Sequence, residues 1–142
     1  MNFNIIQGGL GSGKTTFLVN VLSERAVSTS KILVVTQSNL HCDILKKKLK
    51  DKFEAIHTLA ADKPCSLVEE ITIVSRGSKY DIIVVDLPNI TAIDLMDLYS
   101  YIGTKDLDAF VTDTAADQPL VLKNYKSGRT WRIPKCLTPS II

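Results

Sequence analysis

Residues 8–15 read Gly8-Gly9-Leu10-Gly11-Ser12-Gly13-Lys14-Thr15, the G-x-x-x-x-G-K-[ST] spacing of a phosphate-binding loop. A polyphosphate brings several negative charges that backbone N–H groups must meet at close range. Only residues without a Cβ let the chain wrap that tightly and adopt positive φ. Four of the chain's seven glycines fall between residues 8 and 13, so the loop is not a sample of general glycine richness. Gly8 to Thr16 is therefore the expected nucleotide-binding segment. The amides of Gly9, Leu10, Gly11, Ser12 and Gly13 would surround the phosphates, with Lys14 on the β- and γ-phosphates and the Thr15 hydroxyl on Mg²⁺. Thr16 continues the helix whose N-terminal amides and dipole face the same anion.

A second stretch supplies what such a loop lacks. Tyr80-Asp81-Ile82-Ile83-Val84-Val85-Asp86 is an apolar strand that ends in a carboxylate. Asp86 at the sheet edge would hold Mg²⁺ through water, on a strand expected to lie next to the P-loop strand. Asp81 is expected exposed, at the strand's entrance.

These groups need a scaffold, and the rest of the pattern provides one. Phe3-Asn4-Ile5-Ile6 reads as a short buried strand, and Thr15 to Val27 as a helix with Phe17, Leu18, Val21 and Leu22 on one face. Lys31 to Thr36 is a β-branched run suited to a buried parallel strand. A helix over Leu40 to Lys52 follows, capped by Ser38 or Asn39, with Ile44, Leu45, Leu49 and the trailing Phe53 at helical spacing. Glu54 to Thr58 reads as a third strand, Leu67 to Val74 as a helix, and Ile90 to Ile102 as another with Ile93, Leu95, Met96, Leu98 and Tyr99 apolar. Leu107 to Thr112 is a further strand ending at Asp113. Pro119 to Leu122 and Thr130 to Ile133 read as a hairpin. The expectation is an α/β fold of three layers, a RecA-like P-loop NTPase with a mostly parallel central sheet and a C-terminal hairpin-like extension. Ligands of such sheets bind outside the carboxyl ends of the strands, where Gly8, Thr36, Asp86 and Asp113 converge.

Bulk properties narrow the class further. The 142 residues suit one domain, 1–142, with 45% hydrophobic and 23% charged residues. A formal charge of +2 permits a nucleic-acid partner without requiring one. The basic run Lys46-Lys47-Lys48 with Lys50 and Lys52 reads first as a solvated helix face. No apolar run reaches membrane-span length and no signal peptide is read, so a cytoplasmic setting is expected, host cytoplasm for a viral chain. Cys42, Cys65 and Cys136 are widely spaced and read as incidental or buried thiols. His41 and His57 read as a helix-start and a strand-end or surface histidine, without metal.

The order of motifs resembles the first ATPase domain of superfamily 1 helicases, including the compact viral RNA helicases. Thr36-Gln37-Ser38-Asn39 is similar to a nucleic-acid-contacting motif, and Ile56-His57-Thr58-Leu59 to a short T-H-S/T-L segment. Val111-Thr112-Asp113 through Asp117-Gln118-Pro119-Leu120 resembles the G-D-x-x-Q-x-P motif, with Thr112 where glycine stands and two extra residues before Gln118, which implies a γ-phosphate-sensing role for Gln118. Asn124 to Ser127 with Arg129 and Arg132 resembles the N-Y-R-S region, which implies that Arg129 reaches that phosphate. The resemblance implies catalytic roles for Lys14, Asp86, Gln118 and Arg129, with ATP or GTP and Mg²⁺ as cofactors.

The departures set the functional expectation. Leu87 stands where the helicases carry a glutamate after the metal-holding aspartate, and leucine neither takes a proton nor positions water. Lys126 stands at the N-Y-R-S arginine, without the planar fork. The reading is nucleoside triphosphate binding, preferably ATP, with weak or partner-dependent hydrolysis. RNA or another single-stranded nucleic acid, or a protein supplying missing catalytic groups, would be the partner; helicase activity by this chain alone is not expected. The alternatives are a non-catalytic nucleotide-binding interaction module and a metallochaperone-type GTPase, whose G-x-L-G-S-G-K-T-T loop Gly8 to Phe17 also resembles.

Overall fold

Ile32-Leu33-Val34-Val35 and Ile82-Ile83-Val84-Val85 are apolar without alternation, so strands made from them must be covered on both faces. The computed structural model describes residues 2–8, 13–27, 29–61, 67–88, 90–105, 107–114, 121–124 and 130–132. In chain order its elements are β1 (Asn2–Gly8), α1 (Lys14–Arg25), β2 (Lys31–Thr36), α2 (Asn39–Leu49), β3 (Ala55–Ala60), α3 (Leu67–Ser75), β4 (Ile82–Asp86), α4 (Ala92–Lys105), β5 (Asp108–Thr114), β6 (Val121–Asn124) and β7 (Thr130–Arg132). The strands form one sheet in the order β3-β2-β4-β5-β1-β6-β7. β3, β2, β4, β5 and β1 are mutually parallel, while β6 and β7 pair antiparallel. The expected α/β architecture and the C-terminal hairpin are both present.

Alternation along each strand divides the core in two. Ile6, Ile32, Val34, Ile82, Val84 and Phe110 pack against Leu18, Val21 and Leu22 of α1 and Leu45 and Leu49 of α2. From the other face Phe3, Ile5, Leu33, Val35, Ile83, Val85 and Val111 meet Leu67 and Ile71 of α3 and Leu98 and Ile102 of α4. The result is three layers with the polar strand ends left at one edge. No helix among the described residues is long and apolar enough to cross a membrane.

Several expectations are corrected. The strand bearing Asp86 does not lie next to the P-loop strand: β4 pairs with β2 and β5, and β5 is interposed before β1. Strand order is a long-range property, and nothing local in Ile82–Asp86 announces it. Ile44, Ile93 and Met96, named among the apolar residues of their helices, are exposed at 44%, 71% and 70%. The sheet-facing stripes of their helices are narrow enough to be filled by Leu45 and Leu49 in α2 and by Leu98 and Ile102 in α4. His57 lies inside β3 rather than at its end, because β3 runs on to Ala60; its Nδ1 is 2.7 Å from the Tyr80 hydroxyl. β5 runs one residue past Asp113, to Thr114, so Asp113 stands at the carboxyl end of its strand as expected. Asp81 is exposed as expected, and its Oδ2 accepts a hydrogen bond from the Lys31 amide at 2.8 Å.

Ser38 proves to be the α2 cap: its hydroxyl accepts the His41 amide at 3.3 Å and lies 2.6 Å from His41 Nδ1. Ser38→Ala is expected to cost about 1 kcal/mol. In a chain of this size that lowers Tm by about 4 °C, which a thermal melt would read; an unchanged Tm would show the cap to be dispensable.

Candidate functional site

The carboxyl edge of the sheet is built by β1 handing the chain to α1. Gly8 closes β1 and is buried. Gly13 is the N-cap of α1 and adopts the left-handed conformation, φ 89° and ψ 22°, where a side chain would be strained. The first intrahelical bond runs from the Phe17 amide to the Gly13 carbonyl at 2.9 Å. The earlier amides of that first turn therefore face out of the helix end, beside the positive end of its dipole. Lys14, Thr15 and Thr16 are half-buried in this turn. Gly9, Leu10, Gly11 and Ser12 lie outside the described residues, as do Gln118 and Arg129.

Lys14 Nζ donates to the Gly8 carbonyl at 3.1 Å, so the side chain reaches back to the end of β1. Burial holds its pKa below the ordinary lysine value, while the negative charges of Asp86 and Asp113 pull it back up. The ammonium therefore sits in a partly desolvated position within the influence of two carboxylates. An incoming phosphate would add the anionic neighbours that such a cation favours.

Asp86, at the end of β4, is gripped from both sides. Thr15 Oγ1 donates to Asp86 Oδ2 at 2.8 Å, and Thr112 Oγ1 of β5 donates to Asp86 Oδ1 at 2.8 Å. The structure thus brings together Lys14, Thr15 and Asp86 although 71 residues separate Thr15 from Asp86. The interposed β5 is what makes the second bond. Val85 pairs with Val111, and the same register sets Thr112 beside Asp86. Thr112, buried to 1% exposure, was not singled out in the sequence as a site residue. A hydroxyl at the end of an otherwise apolar Ala109-Phe110-Val111 run was the available signal.

The donor set suits a magnesium ion. A hydroxyl that gives its proton to Asp86 keeps its lone pairs for a metal, and carboxylate and hydroxyl are the hard oxygen donors that Mg²⁺ takes, with waters completing its shell. Elsewhere on this edge, Gln7 Nε2 donates to Asp113 Oδ2 at 3.0 Å. Gln37, just beyond β2, is exposed and its amide lies 3.2 Å from His41 Nε2. Cys42 is buried and 3.2 Å from Thr36 Oγ1, a structural thiol as expected; Cys65 and Cys136 fall outside the described residues.

Residues 2–92 match the family model described as CobW/HypB/UreG, nucleotide-binding domain. The match runs from β1 through the first residue of α4, and so includes Gly8 to Thr16 and Asp86; β5, β6 and β7 lie beyond it. No curated protein matches the chain. The helicases that the motif order resembles are not the family found.

Proposed function

Because the chain belongs to the CobW/HypB/UreG nucleotide-binding family, we propose that it is a Mg²⁺-dependent GTPase of the metallochaperone type, which binds GTP at the edge formed by β1, α1 and β4. The observation that carries this reading is the Thr15–Asp86 hydrogen bond, which joins the P-loop helix to the carboxylate on a strand two places away. Lys14 would meet the β- and γ-phosphates, and the amides of Gly8 to Thr16 would surround them. Thr15 would hold Mg²⁺ directly and Asp86 through water. The ion, when bound, neutralises charge on the phosphates. The residues of this chain grip the triphosphate, keep Asp86 in place through Thr112, and leave turnover slow until a partner supplies further groups. Arg129 and Gln118 remain candidates for contacts to the γ-phosphate.

Among the described residues no group of three or more His, Cys, Asp or Glu is placed to hold a metal ion. Calorimetry and turnover assays with GTP and ATP, each with and without Mg²⁺ and single-stranded RNA, test the proposal. GTP is expected to bind at least about tenfold more tightly than ATP, a difference of roughly 1.4 kcal/mol, with RNA leaving turnover unchanged. Equal affinity together with RNA-stimulated hydrolysis would overturn it in favour of the helicase-like reading.

A further inference from the structure

Hydrolysis needs a group that orients the attacking water and takes its proton. Asp86 is badly placed for this: both its oxygens accept threonine hydroxyls, and it faces the metal side of the site. Leu87 cannot act, and it packs against the α3/α4 core. Gln37 and His41 are polar, but they follow β2, three strands from β1 in the sheet order. At about 4.8 Å per strand that is roughly 14 Å from the P-loop strand.

Among the described residues Asp113 remains, on the strand directly beside β1. Carrying the β4–β5 register two residues past Val85↔Val111 sets Leu87 next to Asp113. Alternation decides the faces. Asp86 and Thr112 project toward α1, whereas Leu87 and Asp113 project to the opposite side of the same edge. Gln7, paired with Asp113 in the β1–β5 register, fixes one carboxylate oxygen through its amide at 3.0 Å. The Asp113 charge also acts on the Lys14 ammonium. A carboxylate absent from position 87 is thus present one strand closer to β1, outside the stretch matched by the family model.

We propose that Asp113 is the catalytic carboxylate of this site, oriented by Gln7 and receiving the proton of the water that attacks the γ-phosphorus. The water oxygen forms the new bond to phosphorus as the bond to the β–γ bridging oxygen breaks. The electron pair leaves with the nucleoside diphosphate, and the water's proton passes to Asp113 and then to solvent or the departing phosphate. This rests on the GTPase reading above. Its family-independent content is the residue, and its signature is a split between binding and turnover.

The experiment measures GTP affinity by calorimetry and single-turnover hydrolysis with protein in excess, for the full chain and for Asp113→Asn, Asp113→Ser and Asp113→Glu. Asparagine keeps the acceptor for Gln7, so the fold should persist; thermal melts check this, and the serine variant guards against a perturbed edge. Turnover is expected to fall about a hundredfold or more in the asparagine and serine variants. GTP affinity should hold or tighten, because a negative charge near the phosphates is removed. Glutamate should retain part of the rate. Unchanged hydrolysis in Asp113→Asn overturns the assignment, and so does a parallel loss of binding and turnover. A wild-type chain that binds GTP but never turns over also overturns it while leaving the binding site standing; failure to bind any nucleotide overturns the preceding proposal instead.

Discussion

Lys14→Ala is expected to weaken nucleoside triphosphate binding by about a hundredfold and to lower turnover by roughly a thousandfold, with little effect on folding. Charge-assisted hydrogen bonds contribute about 1.5–3 kcal/mol each, and a loss of about 2.7 kcal/mol is a hundredfold in affinity. The larger effect on rate is expected because Lys14 would meet charge that develops on the transferring phosphoryl oxygens, and removing a single preorganised donor typically costs about a hundredfold to a thousandfold. The side chain is half-buried and bonded to the Gly8 carbonyl at the end of β1 rather than packed in either core cluster, so the melting temperature should barely move. Lys14→Arg keeps the charge but not the compact head that fits beside Gly8, and should recover only part of the affinity. Calorimetry with Mg²⁺ present decides the matter. Wild-type affinity in the alanine variant would mean that the glycine-rich turn does not hold a polyphosphate.

Asp86→Asn is expected to remove the contribution of Mg²⁺ rather than nucleotide binding itself. The amide preserves the shape of the carboxylate, but only one of its two polar atoms can accept a threonine hydroxyl. Thr15 or Thr112 must therefore turn its hydroxyl to accept from the Asn amide instead of donating. With the charge gone, the Mg²⁺ concentration needed for half-maximal enhancement should rise about tenfold to a hundredfold, the range seen when groups that orient a metal's ligands are altered. In chelator the variant and the wild type should bind GTP alike. Thr112→Val should move the Mg²⁺ midpoint in the same direction by a smaller factor, since it frees Asp86 from one side only, and Thr112→Ser should restore it. Superimposable Mg²⁺ titrations of wild type and Asp86→Asn would remove Asp86 from the metal site.

The two variants also separate the halves of the site. In the proposed site Lys14 and the loop amides would act on the phosphates themselves, whereas Asp86 would act through Thr15 and the ion. A chain that lost both responses on Lys14→Ala, but only the Mg²⁺ response on Asp86→Asn, would show this division directly.

Much of this was legible in the residues because it depends on short-range constraints. Gly13 must take a left-handed conformation before a helix, and the glycine spacing says so. The apolar runs ending at Thr36 and Asp86 demand burial on both faces, and hence a parallel sheet between helix layers. Ser38 at a helix start and the separated pair of strands after residue 120 are equally local signals. Family assignment was less legible. The order of short motifs from Thr36 to Arg132 resembles helicases, while the matched stretch is nucleotide-binding domain of the CobW/HypB/UreG type. Motifs of three or four residues carry little discrimination once the shared loop is set aside.

The sequence alone determined that a glycine-rich turn, a lysine and an aspartate at a strand end would lie at one edge of an α/β sheet, because turn geometry and hydrophobic periodicity act over a few residues. Only the tertiary structure decided which strands are neighbours. Inserting β5 between β1 and β4 puts Thr112 on Asp86 and stands Asp113 beside Gln7, contacts that span 26 and 106 residues of chain. Pairings over such distances follow from how the whole sheet buries its two faces at once, a condition that no single stretch of residues expresses.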